Sequence, residues 1–155
     1  MAVLPRAALR SPILLLACLL AVAGCGPTSG RPETFPGGGV VMLDGKPLEG
    51  AVVSFQAPGA KYWAEGRTDA AGRYALFTFV AGDGALPGTY GVVITKYEDP
   101  ATVPESRRER PDYVPRNLLP ARYAATDTSG FSVTVAAARG PEANRFDFNL
   151  LSKGR

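Results

Sequence analysis

The sequence contains no histidine. That removes the side chain that most often serves as a general base near neutral pH, and the commonest protein ligand of transition metals. Cysteine is nearly as scarce, with two residues. Cys18 lies inside an apolar N-terminal run and is expected to leave with it, so Cys25 remains without a partner for an intrachain disulfide. Charge of one sign is also missing. Seventeen basic residues face fourteen acidic ones, a formal +3, and loss of Arg6 and Arg10 with the N-terminal segment would bring the balance close to neutral. Neither nucleic acid nor a strongly acidic partner is therefore expected. The one long apolar run, Ile13 to Val22, covers about ten residues, roughly half of what a membrane-spanning helix needs. No D-x-D-x-D spacing gathers Asp44, Asp69, Asp83, Asp99 or Asp127 into a calcium loop, and no serine or cysteine has a base beside it in any recognisable pattern. The expectation is a protein with no metal, no cofactor and no catalytic residues.

What is present begins with a three-part N-terminus. Arg6 and Arg10 supply positive charge, Ile13 to Val22 (ILLLACLLAV) an apolar stretch, and Ala23-Gly24 small residues ahead of Cys25. Val22-Ala23-Gly24-Cys25 resembles the bacterial lipobox, so residues 1–24 are expected to be a signal peptide cleaved between Gly24 and Cys25, with Cys25 lipidated. Acyl chains contribute roughly 0.8 kcal/mol per buried CH₂, and two or three of them hold a soluble domain firmly at a bilayer. Gly26 stands where an inner-membrane retention signal would place Asp, which leans the expectation towards the outer membrane. Residues 25–38, rich in Gly, Pro, Ser and Thr, are expected to be a flexible tether.

From Gly39 the chain changes to short apolar runs separated by turns, and residues 39–151 are read as one all-β domain with 152–155 as a tail. Val40–Leu43 meets Asp44-Gly45, a dipeptide suited to a two-residue type I′ hairpin. Ala51, Val53 and Phe55 share one face of the next strand. Trp63–Thr68 and Arg73–Thr78 flank the turn Asp69-Ala70-Ala71-Gly72 and are read as a hairpin. Leu86-Pro87-Gly88 opens the most regular strand, in which Tyr90, Val92 and Ile94 alternate with Gly91, Val93 and Thr95. Phe131, Val133 and Val135, then Phe146, Phe148 and Leu150, complete seven strands of period two, the pattern of a sheet with one buried side. Only Ala121–Ala125 suggests a turn of helix. Seven such strands predict a β-sandwich. Asp44 and Asp69 are expected to cap their turns, Gly45, Gly72 and Gly88 to take conformations other residues resist, and Tyr74 and Tyr90 to fill core space.

Residues 97–130 break this rhythm. Pro100, Pro104, Pro111, Pro115 and Pro120 exclude sheet interior, and a loop of this length in a compact domain is either functional or disordered. It carries Arg107, Arg108 and Arg110, which offer a possible anion or glycan contact but read more simply as a solvated charge run. Trp63 reads as core or sheet edge more readily than as a sugar-stacking platform.

The turn motifs together resemble carboxypeptidase regulatory-like domains. Val41-Met42-Leu43-Asp44-Gly45-Lys46-Pro47-Leu48-Glu49-Gly50-Ala51 is similar to their opening V-x-L-D-G-K-P-L-x-G-A, Thr68-Asp69-Ala70-Ala71-Gly72-Arg73-Tyr74 to their T-D-x-x-G-x-Y, and Pro87-Gly88-Thr89-Tyr90 to their P-G-x-Y. The stretch from Leu119 to Leu150 is like that of short planctomycete lipoproteins. The resemblance implies a seven-stranded prealbumin-like (transthyretin-like) Greek-key sandwich and a structural or interaction role. Hydroxyisourate hydrolases of related fold use histidines that this chain does not have. The reading is a non-catalytic, lipid-anchored module of the bacterial cell envelope, facing periplasm or exterior, with an envelope protein or glycan as partner. Ligand binding through residues 98–130 is the alternative, and an atypical hydrolase there the remotest one.

Overall fold

The computed structural model describes residues 30–140 and 142–153. The expected cleavage and lipidation site at Gly24 and Cys25 lies outside the described residues. Contacts set off Pro32–Arg155 as a compact unit. Its strands are β1 (Gly38–Leu43), β2 (Lys46–Pro47), β3 (Val52–Gln56), β4 (Ala64–Arg67), β5 (Arg73–Ala75), β6 (Gly88–Thr95), β7 (Ser132–Val135) and β8 (Phe148–Leu150). Helix among the described residues is confined to α1 (Glu105–Arg108) and 3-10 turns at Pro100–Thr102 and Ala121–Ala124. None is long and apolar enough to cross a membrane. The seven expected strands are present, and the two-residue β2 is an addition to them.

The strands form two sheets of an all-β sandwich. One runs β4-β3-β6-β7, antiparallel throughout, and the other is built on β1. β1 pairs antiparallel with β2 and β5 and parallel with β8, Val41 lying opposite Phe148 and Leu43 opposite Leu150. Gly38 bonds towards the last strand through Asn144 and Phe146, whereas Val41 bonds to Gly72 and Leu48. An odd separation along a strand puts these bonds on opposite edges, so β8 lies along one edge of β1 and β2 with β5 along the other.

The alternation in the sequence does what the pattern requires. Val53, Phe55, Val92, Ile94 and Val41 are wholly buried, and Tyr74, Tyr90, Phe148 and Leu150 nearly so. Phe55 sits at the centre, 5.4 Å from Phe146 and 6.4 Å from Phe148 across the sandwich, and 6.0 Å from Tyr90 on its own sheet. The two core tyrosines keep their hydroxyls satisfied: Tyr74 donates to Phe146 O at 2.7 Å and Tyr90 to Leu86 O at 2.8 Å. Burial, with the Asp147 charge nearby, pushes the Tyr74 hydroxyl far up from its ordinary range, so it stays a neutral donor.

Asp44 and Gly45, at φ 50° and 77°, form the two-residue turn between β1 and β2, as a type I′ hairpin demands. At the second turn Asp69 Oδ1 accepts from the N–H groups of Ala71 and Arg73 at 2.9 and 2.8 Å. Gly72 follows at φ 73°, and a Cβ there would lie 2.5 Å from Val41 O. The residue is fixed both by backbone sign and by contact with β1.

Three sequence expectations need correction. The arms around Asp69–Gly72 do not continue as a two-stranded ladder. β4 joins β3 and β5 joins β1, in different sheets, and the arms meet again only at a bridge between Glu65 and Phe77. A Cβ on Gly66 would lie 2.6 Å from Ala75 O, so glycine there lets the diverging arms cross. Asp44 does not cap its own turn; its carboxylate accepts from Ser152 N at 3.0 Å and ties down the C-terminal segment. Hydrogen bonds from Ser152, its side chain first and this backbone N–H second, hold the Asp44 carboxyl below its ordinary range. Ordered pairing also reaches back into the segment expected to be tether: Phe35 is buried and exchanges both backbone bonds with Ala85. Trp63, read as core or sheet edge, takes the edge: it stands just before the edge strand β4, 58% exposed.

Candidate functional site

The long loop is held by its own return path. After β6 the chain passes Lys96, Tyr97 and Glu98 and comes back antiparallel at Arg116–Leu118. Glu98 N donates to Arg116 O at 3.0 Å, Leu118 N to Lys96 O at 2.7 Å, and Tyr97 bridges to Asn117. The Asn117 side chain accepts from Lys96 N and Leu119 N, and Leu119 reaches the core. Asp99 caps the Pro100–Thr102 turn through Ala101 N. The prolines that exclude sheet thus define short turns in place of a disordered stretch.

At the base of the loop Glu98 is 9% exposed. Its Oε1 accepts from the Arg107 guanidinium at 2.7 Å, Arg116 N at 3.0 Å and the Tyr113 hydroxyl at 3.4 Å. The backbone N–H of Arg116, with the charges of Arg107 and Arg116, outweighs the opposing effect of burial and holds the carboxyl below its ordinary value. Glu98 is an ionised structural acceptor near neutral pH, far from the range of a general base.

Between this loop and one end of the β4-β3-β6-β7 sheet lies a cleft of about 1180 Å³. Val52, Val103, Val114, Leu118 and Tyr97 give it apolar surface, and Arg67, Lys96 and Arg116 give it positive charge against Glu49 and Asp99. Val114 is 75% exposed, and Tyr97 and Leu118 are also exposed.

The three arginines singled out in the sequence do not converge. Arg107 is committed to Glu98, and its guanidinium lies 5.6 Å from the Tyr113 ring centre. Arg108 Nε donates to Val103 O at 3.1 Å, and Arg110 makes paired 3.2 Å bonds to Asp112. The three guanidinium groups are spent on internal ties, and only Arg107 of them lines the large cleft. Among the described residues no three acidic or cysteine side chains gather at one point. Asp83 shows why the aspartates are occupied: its carboxylate accepts from Thr78, Phe79 and Val80 N–H groups at 2.7, 3.0 and 3.1 Å.

Sequence reasoning missed the roles of two residues. Asn144 is 3% exposed; its Oδ1 accepts from Ala136 N at 2.8 Å, and its Nδ2 faces Pro36 O, Ala136 O and Ala138 O at 3.1–3.3 Å. Glu65 was passed over as an ordinary strand charge. On the outer face of β3 and β4, Gln56 Nε2 donates to Ser54 Oγ at 3.2 Å and Ser54 to Glu65 Oε1 at 3.5 Å. With Trp63 and Tyr62, Gln56 and Glu65 line a hollow of about 410 Å³. Period two between apolar Ala64 and its neighbours was the signal available for this face.

Compared with protein-family models, curated proteins and solved structures, the chain finds no match.

Proposed function

We propose that the chain is a lipid-anchored envelope protein whose sandwich, of the prealbumin-like Greek-key type its turn motifs resemble, is a non-catalytic binding module. The pairing of β1 with β8 and the order β4-β3-β6-β7 support that topology. The observation that carries a binding role over that of a plain spacer is the long loop itself. It is pinned by Glu98 and folded against the sheet end around a cleft with exposed apolar walls. A spacer has no use for such a surface, and exposed apolar clefts mark sites of association. The partner is an envelope protein, since these walls interleave valine, leucine and proline with charged side chains of both signs, a surface suited to another protein. The lipobox at residues 22–25 supports the anchor and the bacterial envelope as its location.

Two experiments test this. Cys25→Ser should move the protein from the membrane to the soluble envelope fraction and abolish incorporation of labelled palmitate; unchanged fractionation and labelling would refute the anchor. A photo-crosslinking amino acid at Val114 should give a discrete adduct in living cells, while one at exposed Asn149 should not. Equal or absent crosslinking at both positions would leave the spacer role in place of the binding role.

A further inference from the structure

The outer face of the sheet carries a second feature, at the far end of β3 from the loop cleft. Along β3, Val52 belongs to the cleft and Gln56 to the Trp63 hollow, about 13 Å apart at the strand rise. Glu65 and Phe77 are a hydrogen-bonded antiparallel pair, each donating to the other's carbonyl, so their side chains share a face. Trp63 precedes Glu65 by two residues with buried Ala64 between them, and lines the same hollow. Trp63 and Phe77 are thus two exposed rings, at 58% and 41%, beside one carboxylate, Trp63 along its own strand and Phe77 across the sheet edge. Among the described residues Glu65 makes no ion pair, and the Trp63 indole N–H has no partner.

We propose that this face binds a neutral glycan, with Trp63 and Phe77 stacking on pyranose rings and Gln56 and Glu65 bonding to hydroxyls. The arrangement suits a ligand whose faces are C–H surface and whose edges are hydroxyls. An aromatic ring offers the electron-rich face that such C–H groups approach. The Gln56–Ser54–Glu65 chain holds an amide and a carboxylate in place before any ligand arrives, which lowers the ordering cost of binding. The hollow falls at the small end of the volume range of ligand pockets, about 300–1,000 Å³, enough for one or two sugar units. A membrane surface is the rival for exposed aromatics near Lys61, but lodging them in a bilayer would bury the Glu65 carboxylate without a counter-charge. The site stands whether or not the loop cleft has a partner.

Trp63 is the sole tryptophan, so its fluorescence reports on this face alone. The full chain in detergent micelles is titrated with β-1,4-linked hexamers of glucose and of N-acetylglucosamine, and separately with phosphatidylethanolamine–phosphatidylglycerol vesicles. The expected result is a saturable emission change with at least one hexamer. By calorimetry, Trp63→Ala should weaken that binding about thirtyfold, as loss of a central interface tryptophan does. Glu65→Gln and Gln56→Ala should each weaken it several-fold, with unchanged thermal unfolding. No saturable change with either hexamer, calorimetric binding indifferent to Trp63→Ala, or a response to vesicles alone would each overturn the proposal.

Discussion

Asn144 ties three segments together through one buried side chain, and its removal gives a sharp test of how the sandwich end is closed. The side chain supplies one acceptor and two donor hydrogens, spread over Ala136 N and the carbonyls of Pro36, Ala136 and Ala138. Its Nδ2 faces three carbonyls with two hydrogens, so the side chain is worth about three hydrogen bonds. At a net of about 1 kcal/mol each, Asn144→Ala should cost about 3 kcal/mol. For a unit of this size that lowers Tm by about 12 °C, read by circular dichroism and by urea unfolding with an unchanged slope. Asn144→Asp separates geometry from packing. It keeps the acceptor for Ala136 N but turns a second carboxylate oxygen towards three carbonyl oxygens. At pH 7 it should be less stable than the alanine variant, and it should recover as acid protonates the new carboxyl and restores a donor. A loss below 1 kcal/mol for Asn144→Ala, or an aspartate variant as stable as wild type at pH 7, would refute the clamp.

Gly72→Ala should destabilise by more than 3 kcal/mol, because the new Cβ meets Val41 O at 2.5 Å in a backbone region L-residues resist; urea unfolding checks it, and a loss under 1 kcal/mol contradicts the packing. Glu98→Gln should loosen the loop without unfolding the sandwich, seen as faster tryptic cleavage after Arg107 and Arg108 at pH 7. Because the folded carboxyl of Glu98 titrates below its ordinary 4.5, its contribution is whole above that value, erodes as pH falls beneath it, and is gone below the folded pKa. An NMR titration of the Arg116 amide should therefore show a midpoint under 4.5, and a midpoint at or above it would break the assignment.

Local signals in the sequence were enough for most strands and turns. Phe55, Tyr90 and Phe148 announce themselves by alternation, and Asp44-Gly45 and Asp69–Gly72 by turn chemistry, because both patterns are written within a few residues. The divergence of β4 from β5 was hidden. Which sheet each arm joins is decided by β3 and β1, not by the turn between the arms, and Gly66 signals the crossing only once its neighbour Ala75 is known. Asn144 and Glu98 were illegible for a similar reason: their partners come from segments distant in sequence or from a proline-rich loop with no period. The arginine run was legible as a charge run but its partners were not: Glu98, Val103 and Asp112 each take one of the three guanidinium groups. Trp63 was placed at the sheet edge by its neighbours, but its companions Gln56 and Phe77 lie on flanking segments and appear only when the register is known.

The parallel pairing of β1 with β8 has a consequence for how the protein comes into being. Val41 and Phe148 are separated by 107 positions, so one border of the first ribbon stays open until nearly everything else has been threaded out and collapsed. A chain interrupted before Phe148 would present that border, flanked by valine and leucine, to any other copy nearby. Closure deferred until the last strand arrives is the order of events this architecture favours, and shortened products should be the ones that clump.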